Sequence, residues 1–180
     1  TRGGAVTHDV FTTGSLLSAA IRQTSVSTKT PKYRPWKFRS DLRLKQRPKG
    51  KHGATVNLGG GASFLINFQY DRSANAYLRF TGGRAQVDAN TKKQLSAKNV
   101  ILQIVPKERV LDRKGRLDIN VVGKGKAVLL QNGKSMTVNW SKKNETARTL
   151  YTDSHGNETK FLRGRTWVVI TPKGHSYKLY

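Results

Sequence analysis

The sequence predicts an α+β fold, predominantly an antiparallel β domain with one short N-terminal helix. Three observations carry that expectation. From residue 62 onward apolar residues recur at every second position, and Gly-rich turns separate the runs at short intervals. A clear 3.6-residue period occurs once, before residue 24, and nothing resembles an alternating βα pattern.

Thr12 or Thr13 is placed to cap a helix through Leu16, Leu17, Ala20 and Ile21, which form one apolar stripe. A further helical turn is expected at Asn90 to Lys98, capped by Asn90 or Thr91. Phe64, Ile66 and Phe68 alternate with polar or outward positions, and Tyr77 to Phe80 continues as an adjacent strand ending at Gly82-Gly83. Asn99 to Val105 is nearly all apolar and stops at Pro106. Leu117, Ile119 and Val121 alternate with Asp118 and Asn120, which puts the aliphatic residues toward the core and Asp118 toward solvent.

The clearest hairpin joins Lys126 to Gln131 with Lys134 to Trp140, because Asn132-Gly133 suits the two positive φ values of a type I′ turn. Met136, Val138 and Trp140 then face one way. Thr149 to Thr152 and Glu158 to Leu162 suggest another pair, followed by Thr166 to Ile170 and Ser176 to Tyr180. Eight or nine such strands form a β domain over 54–180, preceded by an N-terminal region over 1–53 that holds the helix and a basic connector. The recurring pairs Gly83-Arg84, Gly115-Arg116, Gly123-Lys124, Gly133-Lys134 and Gly164-Arg165 are expected to be turns with solvated charges.

The chain of 180 residues carries 34 Lys and Arg against 10 Asp and Glu, a formal net charge of +24. Ten of the cations, Lys29, Lys32, Arg34, Lys37, Arg39, Arg43, Lys45, Arg47, Lys49 and Lys51, fall between residues 29 and 53 with Asp41 as the single acid. Tyr33, Trp36, Phe38, Leu42 and Leu44 interleave with them, and Pro31, Pro35 and Pro48 punctuate the run, so it reads as a partly docked connector. The spacing of Trp36 with Phe38 and of Leu42 with Leu44 is that of an edge strand kept unpaired by its charges. Such a concentration attracts anionic polymers, phospholipid surfaces or nucleic acid without requiring a pocket. For nucleic acid, Tyr33, Trp36 and Phe38 would stack on bases beside Arg34, Lys37 and Arg39.

Catalytic signals are sparse. The chain has no Cys, which removes disulfides, thiolate metal sites and Cys nucleophiles. Its longest apolar runs are far below the ~20 residues of a spanning helix. Neither Gly-x-Ser-x-Gly nor a phosphate-binding Gly-Lys-Ser/Thr loop is present. His8, His52, His155 and His175 lack ligand spacing, and the sequence assigns no metal, no cofactor and no catalytic residue. His8, Asp71, Arg79 and Asp88 form a candidate polar groove. Trp140 and Trp167 read as core residues, Asn99 as the first residue of a strand and Asn132 as a turn residue.

Several segments carry a family resemblance. These are Tyr70-Asp71, Tyr77-Leu78-Arg79-Phe80, Gly82 with Val87-Asp88, Leu95-Ser96-Ala97-Lys98-Asn99-Val100 and Gly115-Arg116. The order continues through Val122-Gly123-Lys124-Gly125-Lys126-Ala127, Asn132-Gly133-Lys134, Trp140-Ser141-Lys142, Tyr151-Thr152-Asp153, Gly156-Asn157-Glu158 and Gly164-Arg165-Thr166-Trp167. Over most of residues 62 to 172 the sequence resembles the bacterial YerB-like lipoprotein family. Upstream, Ala5 to Thr13 resembles the family's proline-histidine-asparagine motif around His8, with Thr7 and Asp9 replacing the proline and asparagine.

The resemblance implies a part of a longer exported or lipid-anchored envelope protein, with Thr1 not an authentic catalytic terminus. It implies no reaction, since the family has no established one. The expectation is a non-enzymatic, extracytoplasmic envelope module whose basic surface associates with an anionic cell-wall polymer or phospholipid. The rest of the same precursor polypeptide is a further expected partner. The alternatives are a nucleic-acid-binding domain and part of an envelope enzyme whose remaining region lies outside this sequence.

Overall fold

The computed structural model describes residues 12–24 and 34–180. Thr1–Pro35 and Trp36–Tyr180 form two compact units. In the first, helix α1 spans Gly14–Gln23, and the Thr13 hydroxyl accepts the Leu16 N–H at 3.3 Å, satisfying one of the donors a helix start leaves open. Among the described residues no helix is long and apolar enough to cross a membrane.

The larger unit is β-rich, as the alternation predicts. Its strands are β1 (Lys37–Arg39), β2 (Gly53–Asn57), β3 (Ile66–Asp71), β4 (Ala76–Thr81), β5 (Arg84–Ala85), β6 (Ser96–Ala97), β7 (Asn99–Val105) and β8 (Arg109–Val110). They continue with β9 (Leu117–Asp118), β10 (Gly123–Gln131), β11 (Lys134–Lys142), β12 (Leu150–Thr152), β13 (Lys160–Leu162), β14 (Thr166–Pro172) and β15 (Ser176–Leu179). A five-stranded sheet has the order β12-β11-β10-β7-β14, in which β14 runs parallel to β7 and the other pairs are antiparallel. A second, antiparallel sheet has the order β15-β2-β3-β4-β5, with β6 also on β4.

The two sheets pack face to face. Ala54, Val56, Phe68 and Tyr77 from one meet Val100, Leu102, Val128, Leu130 and Val169 from the other. The opposite face of the five-stranded sheet buries Ile101, Ala127, Leu129, Val138, Trp140 and Tyr151 against Phe161 and Trp36. The β7 strand is therefore covered on both sides, which is why Asn99 to Val105 reads as a continuous apolar run. Trp140 is a core residue as expected, and its indole N–H donates to the Ile104 carbonyl at 2.8 Å.

Four local expectations are corrected. Residues 90–98 form a turn and the short β6 strand instead of a helical turn, because the Asp88 carboxylate accepts the Asn90 and Thr91 N–H groups and closes a tight loop. Phe64 lies in a 3₁₀ turn, Ala62–Phe64, and is 63% exposed. Glu158 to Leu162 meets Thr149 to Thr152 only in an isolated antiparallel bridge, Thr152 with Glu158, and not in a ladder; β12 joins β11, and β13 takes β1 as a parallel partner. Leu117 and Ile119 face solvent, because β8 and β9 pair only with each other.

Candidate anion-binding face

The basic segment is built into the larger unit from Trp36 onward. Trp36 donates its indole N–H to the Thr149 carbonyl at 3.0 Å and packs on Phe161 and Tyr151, with ring centroids 4.9 and 5.9 Å away. The next three residues form β1 in register with β13, so Lys37 stands opposite Lys160 and Phe38 opposite Phe161. The Arg39 guanidinium donates to Gln131 Oε1, and the Leu42 N–H reaches Asn132 Oδ1 at 3.5 Å. Arg47 then donates to the carbonyls of Leu42, Arg72 and Ser73 at 2.8 to 2.9 Å. Leu44 belongs to a 3₁₀ turn, so the strand pattern expected across Leu42 and Leu44 ends at Arg39.

These contacts divide the cations by role. Arg39 and Arg47 are spent on holding the segment. Lys37, Arg43, Lys45, Lys49 and Lys51 are exposed, and Lys160 and Arg163 from the β13 side join them, Arg163 reaching Ser40 Oγ at 3.4 Å. Arg34 is described and exposed, whereas Lys29 and Lys32, with Tyr33, lie outside the described residues. The local acid Asp41 is neutralised by Lys98. Burial alone would raise the Asp41 carboxyl, but Lys98, the Asn75 amide and Arg47 outweigh it and hold it below the usual carboxylate range. Opposed like charges such as Lys37 and Lys160 repel unless an anion lies between or above them.

Next to this face is a cleft of about 390 Å³ bordered by Pro48, His52, Tyr77, Lys134, Ser135 and Tyr180. A second, of about 280 Å³, is lined by Lys51, His52, Asn67, Gln69, Tyr70 and Tyr180, so His52 and Tyr180 border both. His52 Nε2 lies 2.8 Å from the Lys49 carbonyl, which can only accept, so Nε2 carries a proton and donates. Burial pushes the Tyr77 phenol well up, and the Tyr70 and Tyr180 phenols up as well. The phenols thus stay neutral near pH 7 and serve as hydrogen-bonding groups. Neutral donors, acceptors and lysines around an open cleft suit the binding of a hydroxylated anion.

The residues of the expected polar groove occupy separate local structures. Asp71 Oδ1 accepts from Ser73 N, Ser73 Oγ and Ala74 N, closing the β3–β4 turn. The Ser73 hydroxyl and Ala74 N–H outweigh burial and lower its pKa. Asp88 accepts from Thr91 through both N–H and hydroxyl, which lowers it likewise. Arg79 lies 4.4 Å above the Trp167 ring, and burial lowers its pKa without discharging it. Among the described residues no hydrogen bond or ion pair joins Asp71, Arg79 and Asp88, and His8 lies outside them. No three His, Asp or Glu side chains among the described residues converge as a metal site.

What the sequence reading missed is the polar joint beneath the basic segment. Asn99, Gln131, Asn132 and Asn75 are all buried, and Asn75 Nδ2 donates to Asn132 Oδ1 at 2.9 Å while Tyr70 donates to Asn75 Oδ1 at 2.7 Å. The one available signal was the run Gln131-Asn132-Gly133, in which a polar residue precedes the turn at the end of an apolar strand.

Comparison with known proteins adds a lineage. YerB of Bacillus subtilis (strain 168), a protein named as a lipoprotein, is 28% identical over 108 residues, which are 60% of this chain and 31% of that protein. A crystal structure of the YerB protein from Bacillus subtilis matches with a TM-score of 0.72 at 22% identity, covering 91% of this chain and 53% of the other. The chain thus spans about a third of the curated relative and about half of the solved chain. At that identity the structural likeness concerns the fold. A family described as the C-terminal domain of a protein of unknown function, DUF3048, matches residues 54–168, more than half of the chain, and the protein belongs to that family.

Proposed function

We propose that this domain is a non-enzymatic binding module of the bacterial cell envelope, which holds an anionic cell-wall polymer on the face formed by its basic segment and β13. The observation that carries the proposal is the register of Lys37 opposite Lys160, flanked by exposed Arg43, Lys45, Lys49 and Lys51 and with the nearby Asp41 already neutralised. Cations carried on a segment docked to the larger unit lose little entropy when a repeating anion lies along them. The adjoining cleft, with His52, Tyr180 and Lys134, offers hydrogen bonds to a polyol or sugar between phosphates. Kinship with a protein named as a lipoprotein supports an extracytoplasmic, lipid-anchored setting in which such polymers are the abundant polyanions.

Trp36 is committed to Phe161 and Tyr151, which favours a polymer held by charge and hydroxyl contacts over nucleic acid held by stacked bases. The test is sedimentation of the protein with purified cell walls, before and after chemical removal of their anionic polymer, near physiological ionic strength of about 0.15 M. Pelleting that needs the polymer and survives competition by duplex DNA is the expected result. Pelleting that ignores the polymer, or that DNA abolishes at equal phosphate, overturns the proposal.

A further inference from the structure

We infer that the β8–β9 hairpin is a membrane-contact element that lays an aliphatic face on an anionic phospholipid surface. The hairpin pairs with neither main sheet. Val110 and Leu117 are cross-strand partners and so share a face, which Ile119 extends at the next alternate position. That face is bare: Val110 is 63%, Leu117 51% and Ile119 37% exposed, with Leu111 at 56% beside them. On the reverse face Arg109 pairs with Asp118 at 2.8 Å. The hairpin is thus amphipathic, with its apolar side turned to water, an arrangement that calls for a covering surface.

Charge selects that surface. Of the three acids of the hairpin region, Asp112 is paired with Arg116 and Asp118 with Arg109, and Glu108 is hydrogen-bonded to His175. At the tip, the side chains of Arg113 and Lys114 are exposed and form no ion pair among the described residues. Aliphatic side chains rimmed by uncompensated cations match an anionic headgroup layer, where the aliphatics enter the acyl boundary and the cations stay at the phosphates.

Position agrees. The hairpin leaves the end of β7 and returns into the start of β10, whereas the basic segment meets β10 at Gln131 and the Asn132 turn. The apolar hairpin and the basic face therefore lie toward opposite ends of the β10 strand, about 25–30 Å apart along it. The two surfaces share no residue, so this inference stands or falls separately from the polymer reading.

The experiment is flotation of the full chain with vesicles of phosphatidylcholine alone and of phosphatidylcholine mixed with phosphatidylglycerol, at about 0.15 M and about 1 M salt. A Val110→Ser/Leu117→Ser variant serves as the comparison, and since both residues are exposed it keeps its fold, checked by its thermal midpoint. The expected result is binding to the mixed vesicles that persists in part at high salt and falls at least about tenfold in the variant. A Leu111→Trp reporter is expected to blue-shift on the same vesicles. Binding equal in wild type and variant, or wholly abolished by salt, makes the contact purely electrostatic and overturns the inference. Self-association that the variant abolishes, without vesicle binding, assigns the face to a second copy and overturns it as well.

Discussion

Asn99 and Gln131 face each other across the β7–β10 ladder, and Asn99 Oδ1 accepts both the Gln131 Nε2–H at 2.8 Å and the Leu162 N–H at 2.9 Å. Asn99 Nδ2 donates to the Leu162 carbonyl and to Thr166 Oγ1, both at 3.0 Å. Gln131 in turn donates to the Lys160 carbonyl and accepts from Arg39. One fully buried amide thus ties the start of β7, the end of β10, β13 and, through Gln131, the basic strand β1.

Asn99→Ala leaves the Leu162 N–H and carbonyl without their side-chain partner at a buried site, and leaves the Gln131 amide N–H with the Lys160 carbonyl alone. Each such group costs about 1–3 kcal/mol, so a loss of roughly 3 kcal/mol is expected in urea unfolding, with accelerated amide exchange in β1 and β13. A loss below about 1 kcal/mol would mean that water reaches the site and the joint is not closed.

The turn that follows Gln131 is equally constrained. Gly133 has φ +71°, and a Cβ there would meet the Tyr70 ring and lie 2.7 Å from Pro48 Cγ. Gly133→Ala is expected to cost roughly 2–3 kcal/mol, from the left-handed backbone and from overpacking together. A matching Gly→Ala change at Gly156, also at positive φ but in open space, carries the backbone penalty without the clash. Equal losses at the two positions would contradict the packing of Pro48 and Tyr70 on the turn.

Elements whose cause is local were legible in the sequence. Thr13 caps the helix that Leu16, Leu17 and Ile21 mark, Asn132-Gly133 forms the hairpin, and the apolar run Asn99 to Val105 is a strand to the residue. Partner choice was not legible, because it is decided by residues distant in sequence. Nothing within Leu117 to Val121 says that its neighbours leave it uncovered, and nothing within Lys37 to Arg39 says that β13 pairs with it in parallel. The cations of the basic segment were visible as charge, but the division between holding residues such as Arg47 and exposed ones such as Lys45 depends on carbonyls of Arg72 and Ser73 that only the fold brings near. The acids Asp71 and Asp88 drew notice for their family positions, and their turn-closing role follows from the Ser and Thr two or three residues on.

Acid sensitivity follows from those turns. Asp71 is held below its ordinary value of 3.8 by the Ser73 hydroxyl and the Ala74 N–H, so its charged form is favoured in the folded chain. A depressed folded pKa gives stability that is present in full above the unfolded value and is lost as pH falls through the folded one. Wild type is therefore expected to lose urea midpoint as pH drops below about 4, and Asp71→Asn to lose less over the same interval. Parallel midpoint curves for the two proteins would show that the turn carries no charge dependence.

The most direct measurement of the central claim is the affinity for purified anionic wall polymer of wild type and of a Lys45→Glu/Lys49→Glu/Lys51→Glu variant, at about 0.15 M salt. All three residues are exposed, so the fold is retained. The expected result is a loss of at least about 100-fold in the variant, with a shallower salt dependence, while Lys124→Glu/Lys143→Glu, at exposed positions away from the basic segment, changes affinity by less than about threefold. Equal losses in the two variants would show that net charge alone, and no particular face, attracts the polymer.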